Sequence, residues 1–471
     1  MKRIVIAALA LVGITACGGK TGTLTLNLVT SPGDDPFADA AQVRFTVGAM
    51  GEHVTTVPVS MGHFSYKVSF KPDSTTGPVV IEALNASGTV VAHGRTPYLL
   101  LSPVDQGPIS AWIGRPGRVA PAAAMLPKAV TESASAYVTG LGILYAGGRD
   151  GTGAALADTA VYDVFTHGVI ATSPMQKARA GGVAAPVSNV HAVVFGGATS
   201  AGFGVASAVD GTLELFDPTV GIGVWAALPV DTFPARAYAT KTILAQGAVL
   251  ITGGIDANGA AQTSAGLVNF DGAIKLATLS GPMAAARVRH AAAAAKFPDG
   301  DGALLFGGLP AGATGLPVAE RVVGQAFTAY DVGAQPNRID ATATTMPNGD
   351  ILILGGSTSA GAQASGLVIT PTTPSATVTP LPTALSVARA GHSASLTGND
   401  LVVCGGADAM GAAQASCDVL DATTYARKST VPLASARRGH TSETMETGVV
   451  VIAGGLGADG APLASIELYT P

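Results

Sequence analysis

The hydrophobic and polar positions follow two regimes along the chain. From about Gly22 to Arg115, apolar and polar residues alternate, as at Leu24, Leu26 and Leu28, at Val43, Phe45 and Val47, and at Phe64, Tyr66, Val68 and Phe70. A period of two buries one face of an extended segment, so each run predicts a half-buried strand. Turn clusters such as Ser31-Pro32-Gly33-Asp34 and Asn85-Ala86-Ser87-Gly88 separate the runs, and the Asn85 sequon reads as a hairpin turn. Beyond the Pro/Gly/Arg boundary at Gly114-Arg115-Pro116-Gly117-Arg118 the pattern changes to short apolar strands that run into glycine pairs.

About seven strands in under a hundred residues predict an immunoglobulin-like or fibronectin-like β-sandwich over 22–115. The second regime is a repeat. Strands end in Gly pairs at Gly148, Gly197, Gly254, Gly308, Gly356, Gly406 and Gly455. A basic residue precedes each pair, at Lys128, Arg179, Arg236, Arg287, Arg338, Arg389 and Arg437, so two markers keep the same period of about fifty. A third strand follows most pairs and carries an aromatic or apolar residue beside an acidic one, as at Tyr162-Asp163, Phe216-Asp217, Phe270-Asp271, Tyr330-Asp331 and Leu420-Asp421. A fourth strand leads to the next Arg, most completely from Val224 to Arg236.

Four strands in about fifty residues make one blade of a β-propeller. Arg389-Ala390-Gly391-His392 and Arg438-Gly439-His440, with the Gly pairs, Tyr-Asp and Trp225, resemble the kelch family, and the resemblance runs from about Arg118 to Pro471. It implies an all-β chain, with a seven-bladed kelch-type β-propeller over 118–471 behind the sandwich. Only Trp225 supplies the fourth-strand Trp of that family. The chain stops after the third strand of its last repeat, so Val119 to Met125 is expected to complete the last blade and close the ring, removing exposed edges.

At the N-terminus, Lys2 and Arg3 precede an apolar run from Ile4 to Ile14, which is too short to span a bilayer and has the layout of a secretory signal peptide. Ile14-Thr15-Ala16-Cys17 resembles the bacterial lipobox. The resemblance implies a type II signal peptide over 1–16, lipidation at Cys17 and a tether over 17–21. With Gly18 rather than Asp after the lipidated residue, it implies the outer membrane or cell surface. Three acyl chains on that residue would hold the chain to a membrane.

Composition narrows the function. Among 471 residues, 26 Lys and Arg oppose 31 Asp and Glu, a net charge of -5 with 12% charged residues, which argues against nucleic acid as a partner. The 61 glycines and 5% aromatic content suit many small, tightly packed strands. Beyond the N-terminus no apolar segment is long enough to span a membrane. Cys404 and Cys417 end one strand and begin the next, so an antiparallel pair would bring them together, and an oxidising compartment would make them a disulfide.

His290, His392 and His440 share one phase near the arginines and are candidate binding residues for a metal or anion, although the kelch pattern itself gives that Arg and His a structural role. Asp299-Gly300-Asp301-Gly302 reads as a hairpin tip, since it lacks the later Glu of a calcium loop. Kelch relatives include copper-radical oxidases with Tyr, His and Cys ligands and enzymes that hold a sialic acid carboxylate with several arginines. Here Tyr162, Tyr330 and Tyr469 stand at repeated positions and the Arg series is periodic, so no such constellation is left over.

No nucleophile elbow, phosphate loop or HExxH motif occurs. The expected function is therefore a non-catalytic binding scaffold for a protein or glycan at the envelope, with no cofactor and no metal; a carbohydrate-active or copper-dependent oxidase-type enzyme is the alternative. The Arg series and the loops after the Gly pairs should share one face. The longest of those loops, Ala198 to Gly211 and Leu309 to Gly324, are the candidate binding segments, the latter with Glu320 and Arg321 as its charged residues.

Overall fold

The computed structural model describes residues 10–15, 21–48, 53–59, 69–70, 76–100, 109–199, 208–269, 274–309 and 317–471. Cys17, Phe64, Tyr66, Val68, Phe270, Asp271, and 200–207 and 310–316 of the two long loops lie outside these residues. The chain is all-β, and among the described residues no helix is long and apolar enough to cross a membrane.

The alternating runs of the N-terminal part form the strands Thr21–Val29, Gln42–Val47, His53–Pro58, Val79–Leu84, Val90–Arg95 and Ile109–Gly114. In Gln42–Val47, every second residue is buried, and Leu26, Val43, Phe45, Val47, Ile81 and Ile113 share one core. Ala10–Thr15, read from sequence as part of the leader, runs antiparallel to Thr21–Val29. Ile109–Gly114 pairs with Thr21–Val29 through Ile109 to Trp112 and with Val90–Arg95 through Ile113 and Gly114, so these strands share one continuous hydrogen-bonded order, while Thr76–Gly77 and Leu99–Leu100 pair separately. The Asn85 turn is closed by its own side chain, whose Oδ1 accepts from the Ser87 and Thr89 amides.

From Arg118 onward the strands make successive sheets, antiparallel except for the short parallel strand Val230–Asp231 at the edge of the third, numbered here in chain order by their first strands: Ala134–Val138, Val183–Pro186, Thr240–Ile243, Ala291–Phe297, Thr342–Thr345, Ser393–Thr397 and Thr441–Thr444. The second strands, such as Val249–Thr252, Ile351–Leu354 and Val450–Ala453, are unbroken β-branched and aliphatic runs buried along their whole length. Continuous apolarity fits a strand covered on both faces. Cores form between neighbouring sheets: Phe306 and Tyr330 of the fourth sheet pack with Ile351, Ile353 and Ile369 of the fifth. Each first strand touches that of the next sheet, and that of the seventh touches that of the first.

The seventh sheet takes its outer strand from far away in sequence. Arg118–Val130 pairs antiparallel with Leu463–Thr470, matching Arg118 with Thr470 and Met125 with Ser465. The N-terminal part packs beside this join. Trp112 is buried with Leu126, Tyr162 and Leu468, its Nε1 donates to Thr470 Oγ1 at 3.0 Å, and its backbone N–H donates to His167 Nε2 at 3.0 Å.

Candidate functional site

The periodic arginines form an internal lattice. In the second to seventh sheets, Arg179, Arg236, Arg287, Arg338, Arg389 and Arg437 are buried, and each Nη1 donates to the carbonyl of the first glycine of its own sheet's pair, as Arg338 does to Gly355 at 2.8 Å. The second glycine of the preceding sheet donates its N–H to the same arginine's carbonyl, as Gly308 does to Arg338 at 2.8 Å. One residue thus ties two sheets together. The glycines are obligatory at this junction. Gly405 has φ +61, and a Cβ there would lie 2.5 Å from the Arg437 carbonyl oxygen and 2.7 Å from His440 Cε1.

Four of the six guanidiniums also meet a buried carboxylate: Arg179 with Glu214, Arg287 with Glu320 at 3.0 Å, Arg389 with Asp418 at 3.2 Å and Arg437 with Glu467 at 2.7 Å. In the sheets of Arg236 and Arg338, Gly266 and Leu367 hold the strand positions where the others carry an acid. Burial lowers Arg236 to about 10, and its guanidinium stacks over Phe233, 3.9 Å from the ring centre.

Several sequence expectations are corrected by this lattice. Glu320 is not a loop residue: it lies in the strand Ala319–Val323, is fully buried, and accepts from the Ala284 and Ala285 amides as well as from Arg287. Arg321 follows it in the strand and spans Asp299 and the Phe297 ring, so neither residue is presented to a partner by a loop. Strand alternation, which sends neighbours to opposite faces, is the reason. His290 and His392 are buried and His440 is half-buried; each Nε2 shares a hydrogen bond with a hydroxyl of the preceding sheet, at Thr252, Thr342 and Ser393. Burial, then the nearby Arg287, Arg389 and Arg437 charges, push the three imidazoles down to about 3, which keeps them neutral at neutral pH. Lys128 is not the first member of the Arg series. Val130 occupies that place, since Gly455 donates to its carbonyl at 2.9 Å, while Lys128 is half exposed and bridges Asp158.

The remaining sequence-selected residues are held in structural contacts. Cys404 and Cys417 lie opposite each other across the ladder and are disulfide-bonded. Tyr162, Tyr330 and Tyr469 bond to His167, the Thr372 carbonyl and Asp400. The 299–302 segment is the tip of a hairpin, with Phe297 opposite Gly300.

A different set of residues converges on one cavity. Two positions after each arginine, or after Val130, the chain carries Glu132, Gly181, Tyr238, Arg289, Asp340, Gly391 and Gly439, and every one has φ between +54 and +63. Backbone bonds join most successive members: Gly181 to Glu132 at 2.9 Å, Tyr238 to Gly181 at 2.7 Å, Asp340 to Arg289 at 3.0 Å, Gly391 to Asp340 at 2.9 Å and Gly439 to Gly391 at 3.3 Å. Left-handed backbone is easy for glycine and costs an L-residue roughly 1–2 kcal/mol. Yet four of the positions are not glycine.

Those four side chains line a cavity of about 560 Å³, together with Asp408, Arg438 and others. Tyr238 lies over Gly181, where any Cβ would come within 2.3 Å of its ring, and its hydroxyl donates to Glu132 at 2.8 Å. Arg149 donates to Glu132 at 2.9 Å, completing a three-residue cluster. Burial, with the Glu132 carboxylate adding to it, pushes the Tyr238 phenol up to about 12. On the other side Arg289 grips Asp340 with both Nε and Nη2. Among the first strands of the sheets, Lys241 donates to the Ser135 and Ala184 carbonyls and Ser135 Oγ to Glu443 at 2.7 Å, a polar link across the first, second, third and seventh sheets. Among the described residues no group of three or more His, Cys, Asp or Glu is placed to hold a metal.

The residues of this mouth were missed from sequence, although the signal existed: they are the positions where the Arg-x-Gly-His pattern loses its glycine. Comparison with known protein families and with curated proteins finds no match for the chain.

Proposed function

We propose that this protein is a non-catalytic binding scaffold in which the seven sheets form a kelch-type β-propeller, standing behind a β-sandwich and tethered to the bacterial envelope through lipidated Cys17. The cyclic contacts of the first strands, and a seventh sheet built from both ends of the repeat region, support the propeller. The switch of Ile109–Gly114 between two partner strands supports the sandwich. The ligand is a protein loop or a glycan seated in the mouth.

One observation carries this reading: Glu132, Tyr238, Arg289 and Asp340 hold strained left-handed backbone, and all four side chains line the same cavity. Strain of that kind persists where the surroundings over-determine it, and it clusters at binding sites. A mouth offering both charge signs, amides and a phenol suits a ligand rich in hydrogen-bonding groups.

The test is site-specific photo-cross-linking on intact cells, alongside a glycan array. A photoreactive residue at Asp340 should give a discrete adduct or the array a discrete hit, whereas one at exposed Met410 in the loop after the sixth Gly pair should give a weaker adduct or none. Stronger capture at Met410 than at Asp340 would move the docking surface out to the loops, and neither adduct nor array hit would refute the scaffold reading.

A further inference from the structure

The first sheet departs from the lattice, and the departure leaves a second cavity, independent of the mouth. Val130 stands where the other six sheets have a buried arginine, and Ala160 stands where Arg179 of the second sheet finds Glu214. Around them lies a cavity of about 160 Å³, lined by Val130, Gly147, Asp158, Ala160 and Tyr145 among others.

Two of these residues, Gly147 and Asp158, correspond to groups that receive a guanidinium elsewhere. In the second sheet, Arg179 donates to the Gly196 carbonyl, to the Thr212 carbonyl and hydroxyl, and to Glu214. Gly147 matches Gly196. Asp158 matches Thr212, because its carbonyl receives the Gly147 N–H as Thr212 receives that of Gly196. The first sheet therefore keeps the carbonyl cradle and adds a carboxylate at its rim, where the other sheets mostly have a serine or threonine hydroxyl. A second observation points the same way. Tyr145 is buried, occupies a place that is aliphatic in the other sheets, and its hydroxyl has no hydrogen-bond partner among the described residues. A buried polar group left unpaired is costly, so a ligand able to bond it gains that energy.

We infer that this cavity binds a guanidinium group from outside the chain, replacing the arginine that the first sheet lacks. Backbone carbonyls, the Asp158 carboxylate and the Tyr145 hydroxyl would surround it, with the alkyl stem against Val130, Leu126 and Leu156. A planar cation with several donors fits this acceptor set better than an ammonium of the same charge. The source is either a free guanidino compound or an arginine side chain of a partner.

The experiment is calorimetric titration of the whole protein with butylguanidinium, butylammonium and an acetylated, amidated arginine. The proposal expects saturable one-to-one binding of butylguanidinium, at least fivefold weaker binding of butylammonium, and Asp158→Asn weakening the former about tenfold. Lys128→Ala, which frees Asp158 from its ion pair, should tighten binding severalfold, an effect that loss of structure would not mimic. Val130→Arg with Ala160→Glu should abolish binding by filling the cavity from within. If that double variant fails to fold, the two single surface substitutions decide alone. Binding of the arginine derivative as tightly as butylguanidinium assigns the ligand to a protein side chain; binding of butylguanidinium alone assigns it to a free compound. No saturable heat with butylguanidinium, or equal binding to the Asp158→Asn and Lys128→Ala variants, overturns the proposal.

Discussion

The buried arginine lattice and the mouth residues only two positions further on obey opposite rules. At the lattice the residue type is nearly invariant from sheet to sheet, because a Cβ at Gly405 would strike the Arg437 carbonyl and the His440 ring, and Arg437 itself donates to the Gly454 and Ser465 carbonyls. At the mouth the backbone conformation is invariant while the residue varies among Glu, Gly, Tyr, Arg and Asp. The contrast separates what the architecture demands from what it tolerates. A position that keeps a demanding conformation, yet exchanges its side chain from one repeat to the next, is free to serve a ligand.

The largest effect should come from breaking the lattice at a carboxylate. Arg437→Leu would leave Glu467 fully buried with only the Ala434 and Ser435 amides as donors. Removing one partner of a buried ion pair costs about 3–5 kcal/mol. Arg338→Leu removes a comparable set of carbonyl bonds but strands no charge, since Leu367 stands where the acid would be, and should cost about 2 kcal/mol less. Urea denaturation at pH 7 measures both. Equal losses would mean that the carbonyl bonds, not the carboxylate, set the stability of the lattice.

The next effect concerns the histidines packed into the same lattice. His290, His392 and His440 are held near 3 by burial, against about 6.5 in an unfolded chain. Below 6.5 the unfolded state binds protons that the folded state refuses. Their contribution is therefore complete above pH 6.5 and is lost as pH falls from 6.5 toward 3. By linkage, each is worth about 1–2 kcal/mol of lost stability at pH 5 relative to pH 7. His392→Gln should shrink the drop between pH 7 and pH 5 by that amount, read from urea midpoints at the two values. An unchanged drop would mean that His392 is protonated in the folded protein.

How much of this was legible beforehand depended on whether two markers agreed. The Gly pairs and arginines recur together, so the succession of sheets could be read directly, and the strand Val119–Met125 followed from counting strands at the chain end. Lys128 misled because charge was matched instead of register: Val130, two residues later, carries the carbonyl that the Gly455 amide requires. Glu320 misled because the loop before it is rich in Ala, Gly and Pro, which hid the start of the strand at Ala319. The mouth was hidden for a different reason. A missing consensus glycine looks like decay of the repeat, and only the backbone angle reveals that Tyr238 and Asp340 keep the conformation without the residue that makes it easy. Tyr145 and Ala160 gave no signal, because a missing arginine becomes meaningful only once the contacts of the other six are known.

The smallest expected effect tests the tolerance of the mouth itself. Gly391 follows Asp340 in the chain of backbone bonds, has φ +62, and a Cβ placed there meets no atom within 4 Å. Asp enters left-handed backbone more readily than most residues, and the neighbouring Asp340 already does so at φ +54. Gly391→Asp should therefore cost only about 1 kcal/mol, the conformational penalty without a steric one. The added carboxylate would line the same cavity as Asp340 and Arg438, because Gly391 does. The variant should keep its urea midpoint within a small margin while changing which ligands the cavity accepts. A loss above about 3 kcal/mol would show that the mouth is packed as tightly as the lattice, since only a steric or buried-charge defect reaches that size. In that event the variation among the seven positions would reflect compensation within each sheet and not freedom to bind.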